Sequence, residues 1–169
     1  RLEVPNYEAD DVMATVAEQI DQAGGTAFLV TSDKDCRQLI SDNVKMYNIR
    51  KDMIFDADDL METWGIRPDQ VVDFQSLVGD SVDNVPGVQQ IGPKTATTLL
   101  AEFNDLEGVL ANAHTVKAKN RRENLMRGRE DAMMSRRLVE LDRQIDMEID
   151  WKSAQLGGQN HSELEQLCD

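Results

Sequence analysis

The sequence predicts an α/β fold, with a parallel-stranded core in its first part and a helical region after it. Three observations predict this. Strand-like and helical segments alternate early in the chain, which suggests parallel pairing across a connecting helix. From Leu106 onward the pattern is helical with polar connections. With 169 residues, 40% hydrophobic and 30% charged, the chain is long enough for one ordinary domain with a real core, or a two-lobed one.

The elements follow in order. "RLEVPNYEADD" opens on a strand-like fragment. From Tyr7 to Ala23, Val12, Val16 and Ile20, with Met13 and Ala17, fall on one helical face, and Gly24-Gly25 ends the helix. "TAFLV" reads as a buried strand running into "TSDKD", and "NVKMYNI" as a second short strand. Asp56 to Trp64 is an acid-capped helix stopped by Gly65. "RPDQVVDFQSLVG" is another helix, with Pro68 near its first turn. The hairpin-like "DNVPGVQQIGPKT" leads into the helix "ATTLLAEF". "SELEQLCD" reads as helical, and the abrupt start and stop suggest a piece of a longer chain.

Composition narrows the function classes. No apolar run is long enough to cross a bilayer, and the first residues do not read as a signal peptide. Cys36 and Cys168 lack metal-ligand spacing and are too few for a disulfide framework, which favours a reducing compartment, most simply cytoplasm. The net charge of −14 argues at first against a nucleic-acid partner. Between Lys117 and Arg137, however, Lys117, Lys119, Arg121, Arg122, Arg127, Arg129, Arg136 and Arg137 outnumber Glu123, Glu130 and Asp131. This stretch is a basic patch or a solvated helix face.

Three acidic groups carry the candidate chemistry. Glu8 and Asp11 are spaced to share a helical face, with Asp10 beside them; N-terminal capping competes for the same residues. Asp33 and Asp35, two apart after a strand, would point the same way from an extended chain, at the strand end where α/β folds bind ligands. A polar loop with a helix cap is the alternative there. Asp80 and Asp83 would converge if helical, although Asn84 and Pro86 also fit ordinary turn chemistry. Seven carboxylates at three element boundaries could meet only around something cationic, and an all-oxygen set suits Mg²⁺ or Mn²⁺. A calcium EF-hand is excluded, since the sixth and twelfth positions are Gln38 and Val44 counted from Asp33, and Val85 and Ile91 counted from Asp80. Two such ions would activate a water and stabilise the leaving oxygen of a phosphodiester.

Beside the last pair, Gly87 and Gly92 would let the backbone turn tightly and approach a strand. A helix opening after Gly92, with Pro93 and Lys94 in its first turn, makes an anion site that holds sugar-phosphate without reading bases. The alternative is a loop punctuated by Gly and Pro, with Lys94 a surface lysine.

"EVPNYEADDVMATVA", "VTSDKDCRQLISDNV" and "LVGDSVDNVPGVQQIGPKTATTLL", with "GIRPDQVVDFQSLVGD" and "LDRQIDMEIDW", resemble successive motifs of the 5′-nuclease domains of bacterial DNA polymerases I, in the flap endonuclease family. The similarity runs from about Glu3 to Trp151. It implies a PIN-like 5′-nuclease core over 1–75, a helix-three-turn-helix over 76–110 and a further helical part over 111–169. It also implies structure-specific cleavage of DNA or RNA-primer phosphodiesters near a 5′ flap or nick, in replication and repair. On the resemblance, Glu8, Asp10, Asp11, Asp33, Asp35, Asp80 and Asp83 are ligands of two Mg²⁺ or Mn²⁺ ions. Gly87, Gly92 and Lys94 belong to the motif that binds the duplex backbone. Relatives hold K⁺ there through backbone carbonyls, here from the region of Leu77, Val88 and Ile91.

The family begins well before this sequence, with further metal-binding aspartates and a basic helical arch, and a polymerase portion is expected to follow it. A bacterial, nucleoid-associated location goes with that. Two readings of this chain stay open: a divalent-metal 5′-nuclease, or a non-catalytic fragment that holds duplex DNA. An RNA-cutting nuclease of related fold is disfavoured by the helix-three-turn-helix, which suits B-form duplex.

Overall fold

In the computed structural model, which describes residues 1–157, the first helix α1 (Ala9–Gln22) starts where acids gather and ends just before Gly24 turns left-handed. Asp10 and Asp11 in its first turn oppose the helix dipole. Its inward face differs from the expected one: Val12, Ala14, Thr15 and Ala17 are buried, Met13 and Ile20 pack at the margin, and Val16 is half-buried. Small side chains face inward because α1 lies directly against strand β1 (Ala27–Leu29), where Ala14 and Ala17 permit close approach.

The sheet has three strands in the order β1-β2-β3. β2 (Val44–Asn48) pairs parallel to β1, with Ala27 opposite Val44, as the alternation of segments predicts. The crossover between them is a one-turn 3₁₀ helix, Asp35–Leu39. The sequence reading missed β3 (Met53–Phe55), which returns antiparallel to β2 and makes the sheet mixed. The side chain of Asn48 builds that turn by accepting from the amides of Arg50 and Lys51 at 3.1 and 3.2 Å, a local bond that a charged "RKD" run does not advertise.

Helix α2 (Ala57–Trp64) is as read: Asp56 accepts from the amides of Asp58 and Asp59 at 3.0 and 3.3 Å, and Gly65 ends it at φ +68°. After a 3₁₀ turn at Pro68–Gln70 come α3 (Val71–Val78), α4 (Pro93–Phe103), α5 (Leu106–Ala111), α6 (Lys119–Arg127) and α7 (Arg129–Val139). One apolar cluster, including Leu60, Leu77, Leu100, Leu106 and Leu125, binds the helices; a second, including Leu29, Leu39, Val44 and Met46, lies between α1 and the sheet. Phe55 borders both. The expected helix over "SELEQLCD", Cys168 and the end of the 111–169 segment lie outside the described residues.

The link from α3 to α4 is where two backbone segments nearly touch. Asp80 and Val85 exchange amide hydrogen bonds of 2.9 and 2.7 Å, and the Val88 amide donates to the Leu77 carbonyl at 2.9 Å. Gly87, at φ +62°, packs so tightly that a Cβ would stand 2.5 Å from the Gly79 nitrogen. Its amide donates at 2.9 Å to the buried hydroxyl of Ser135 on α7, which itself donates to the Asp131 carbonyl. Gly92 is different: at φ −92° it has no conformational need for glycine, and a Cβ there would meet nothing within 4 Å. Gly87→Ala is therefore expected to cost about 3 kcal/mol or more, and Gly92→Ala under about 1 kcal/mol. Urea-unfolding midpoints check this, and equal losses at the two positions would refute it.

Candidate metal and nucleic-acid site

The three acidic groups arrive at one place by routes other than the expected ones. Glu8 is the N-cap of α1 and not a member of its face; Asp11 accepts from the Glu8 amide at 3.3 Å and from the Asp142 amide at 2.9 Å. Capping and placement in the cleft are thus two uses of one carboxylate. Asp33 and Asp35 are not extended: Asp33 accepts from the Asp35 amide at 3.0 Å, turning the chain into the 3₁₀ helix. Asp80 and Asp83 are not helical either, since Asp80 pairs with Val85 across a tight hairpin and its carboxylate accepts from the Val82 amide at 2.6 Å. For the second and third groups, local side-chain bonds to the backbone outcompeted the regular elements.

Six of the seven acids, Glu8, Asp10, Asp11, Asp33, Asp35 and Asp83, line a single cleft of about 550 Å³, with Arg137 at its wall. Asp80 stands behind, its carboxylate ion-paired with Lys34, which also reaches Asp83 at 3.5 Å. Two neighbouring groups are shifted, by burial first and by the nearby carboxylates after it. Burial, and then the charges of Asp33 and Asp83, raise the Asp35 carboxyl above the usual range, against a hydrogen bond from Gln75 and the charge of Lys34 that lower it. The Cys36 thiol is pushed up to about 12, by burial first and then by Asp33, Asp10 and Asp35.

Among the described residues no three carboxylates converge closely enough to hold an ion as they stand. The donor set nevertheless fits a hard cation. It is all oxygen, Glu8, Asp33 and Asp83 are exposed, and the Asp80–Asp83 pair already holds a cation, the Lys34 ammonium.

One residue essential to this geometry was missed. Gln38, buried, donates to the carbonyls of Asp35 at 3.0 Å and Val139 at 2.8 Å, and accepts from the Leu141 amide at 3.1 Å. Arg143 adds a bond to the Gln38 carbonyl at 2.6 Å, and Thr15 accepts from the Ile145 amide at 3.3 Å. These contacts bring the chain after α7 back across α1 and close the cleft. A glutamine in "DCRQL" gives no sign of partners so far along the chain.

The residues read as a phosphate grip lie on the other side of the hairpin. Lys94 is exposed in the first turn of α4, below Gly92. A groove of about 280 Å³ runs beside α4, lined by Thr95 and Thr98 together with Lys117 and Arg121. The basic stretch is divided in its uses. Arg136 pairs with Glu107 and Glu140, and Arg122 donates to the Val116 carbonyl, so these two serve the fold. The Leu77 and Val88 carbonyls accept from the Val88 amide at 2.9 Å and the Ile91 amide at 3.0 Å, leaving each a second lone pair.

Comparison with known proteins gives a consistent picture. Residues 1–65 match the family described as 5′-3′ exonuclease, N-terminal resolvase-like domain, and residues 66–162 match 5′-3′ exonuclease, C-terminal SAM fold. The chain is 42% identical over 163 residues to DNA polymerase I of Rhizobium leguminosarum, covering 96% of this chain and 16% of that protein. It is 39% identical over 148 residues to the 5′-3′ exonuclease of Aquifex aeolicus, covering 88% of this chain and 50% of that one. In fold it is similar to the bacteriophage T5 D15 protein co-crystallised with metal ions, with a TM-score of 0.76 at 22% identity over 83% of this chain and 53% of that one. The T5 D15 flap endonuclease in a product-like complex with DNA and metal ions gives the same TM-score of 0.76 at 22% identity, over 83% of this chain and 52% of that one.

Gln38→Leu keeps the side chain's bulk and strands the Val139 carbonyl and the Leu141 amide. A loss of about 2 to 3 kcal/mol is expected in urea unfolding. A change below about 0.5 kcal/mol would show that Gln38 does not fasten the cleft.

Proposed function

The chain belongs to the 5′-3′ exonuclease family, and on that premise we propose that it carries the metal-ligand cleft and duplex grip of a structure-specific 5′-nuclease. The chain spans only 16 to 18% of the DNA polymerases I named DNA polymerase I or its thermostable forms in Rhizobium and Thermus thermophilus, and half of the Aquifex exonuclease. The activity proposed is hydrolysis of DNA or RNA-primer phosphodiesters at a 5′ flap or nick, in replication and repair. The observation that carries the reading is the gathering of six acids from three separate segments on one cleft. Ordinary capping and turn chemistry would not bring them to a common surface.

Each group has a task. Glu8, Asp10, Asp11, Asp33, Asp35, Asp80 and Asp83 would hold two Mg²⁺ or Mn²⁺ ions. Bound there, such ions supply an activated water and charge stabilisation for the departing oxygen. The carboxylates set the ions' positions, and no side chain serves as the nucleophile. Arg137, the cation at the cleft wall, faces the phosphate that enters. Gly87 shapes the hairpin, while Gly92, Lys94, Lys117 and Arg121 hold the duplex backbone outside the cleft. K⁺ at the Leu77, Val88 and Ile91 carbonyls would stiffen that hairpin. Among the described residues no helix is long and apolar enough to cross a membrane.

A second reading, duplex binding without cutting, is favoured by the lack of three converging carboxylates among the described residues. Incubating this chain with a 5′-labelled flap duplex in Mg²⁺ or Mn²⁺, with EDTA as control and binding measured in Ca²⁺, separates the two. Metal-dependent cutting near the junction is the expected result, and binding without cutting supports the second reading. Asp33→Asn and Asp83→Asn are each expected to slow cutting at least about 100-fold while sparing binding. An unchanged rate would remove that residue from the ligand set. Lys94→Ala is expected to weaken duplex affinity and to lower the salt slope by about one, which titrations at several salt concentrations measure.

A further inference from the structure

Lys34 sits between Asp33 and Asp35 in the sequence, yet its ammonium crosses to the α3–α4 hairpin. There it pairs with Asp80 and, at 3.5 Å, with Asp83. The Asp80 side chain is only 11% exposed, against 55% for Asp83 and 37% for Lys34. A carboxylate buried to that degree is costly without an opposite charge beside it, and the amide bond from Val82 does not neutralise it, so the hairpin favours a cation at this spot. Among the described residues Lys34 is the cation that reaches both carboxylates.

We propose that Lys34 is the resident counter-cation of the Asp80–Asp83 pair, which a divalent ion must displace in order to bind there. This rests on the metal reading above and concerns the competition for that site. Two cations cannot share the space between the carboxylates, and a divalent ion brings twice the charge of the ammonium. The displaced side chain has room. Lys34 already lines a second cavity, of about 670 Å³, between the end of α2 and the start of α4, walled by Trp64 and Phe74 and shared with Lys94. Lys34 thus has two places to be, and the metal decides between them. Without metal it keeps the hairpin acids from repelling one another. With metal it turns toward the side where Lys94 is positioned to meet an anion.

The test is Mn²⁺ binding to the chain and to Lys34→Met, read from the electron paramagnetic resonance signal of free Mn²⁺, with melting temperatures in EDTA and in Mn²⁺. The variant is expected to bind Mn²⁺ roughly fivefold more tightly. It should melt lower than the natural chain in EDTA and recover that deficit in Mn²⁺. A lysine with a merely structural role would lower the melting temperature equally in both conditions and leave Mn²⁺ affinity unchanged; that result overturns the proposal while the metal reading stands. No Mn²⁺ binding by the natural chain would overturn the metal reading, and this proposal with it. If Lys34→Met does not fold, Lys34→Gln serves, since it too removes the charge and is expected to shift affinity in the same direction.

Discussion

Like charges gathered in one cleft repel, and the backbone around the acids is built to hold them there regardless. Asp11 is tied to the Glu8 and Asp142 amides, Asp33 to the Asp35 amide, and Asp80 to the Val82 amide. These bonds hold Asp33 and Asp80 by one oxygen and Asp11 by both, and leave each carboxylate further acceptor sites. Burial first, and the neighbouring carboxylates after it, raise the Asp35 carboxyl and push the Cys36 thiol up to about 12. Lys34 and Arg137 are the cations the fold itself sets against these carboxylates.

Holding the cleft shut is the work of segments far apart in sequence. Gln38 and Thr15 fasten the chain after α7 to the 3₁₀ helix and α1, and Ser135 on α7 fastens Gly87 of the hairpin. Helix α7 is therefore common to both sides of the site: its end borders the acids and its middle supports the hairpin. The two glycines of the hairpin divide their roles in the same spirit. Gly87 is required by backbone contact, and Gly92 stands in open space at the start of α4.

Much of the fold was legible because the signals are local. The Asp56 cap and Gly65 stop of α2 depend on neighbours within a few residues, and so does the proline-led entry to α3. The parallel pairing of β1 and β2 followed from the alternation of segments. What escaped also has physical reasons. Strand β3 depends on an Asn48 side-chain turn inside a charged run, and the inward face of α1 was decided by its approach to β1, which favours Ala14 and Ala17 over Val16.

The candidate site divides along the same line. The sequence by itself singled out the candidate residues, because seven carboxylates at element boundaries, and a glycine, proline and lysine at a helix start, stand out in its composition and spacing. Only the tertiary structure decided how they meet. Turns and not regular elements aim Asp33, Asp35, Asp80 and Asp83, since side-chain bonds to nearby amides win over strand or helix geometry there. Gln38 and Lys34 take their roles from partners that folding brings to them, Val139 and Leu141 for one and Asp80 and Asp83 for the other. A hydrogen bond or ion pair between distant segments leaves no periodicity in the chain, so these two residues have no sequence pattern to betray them.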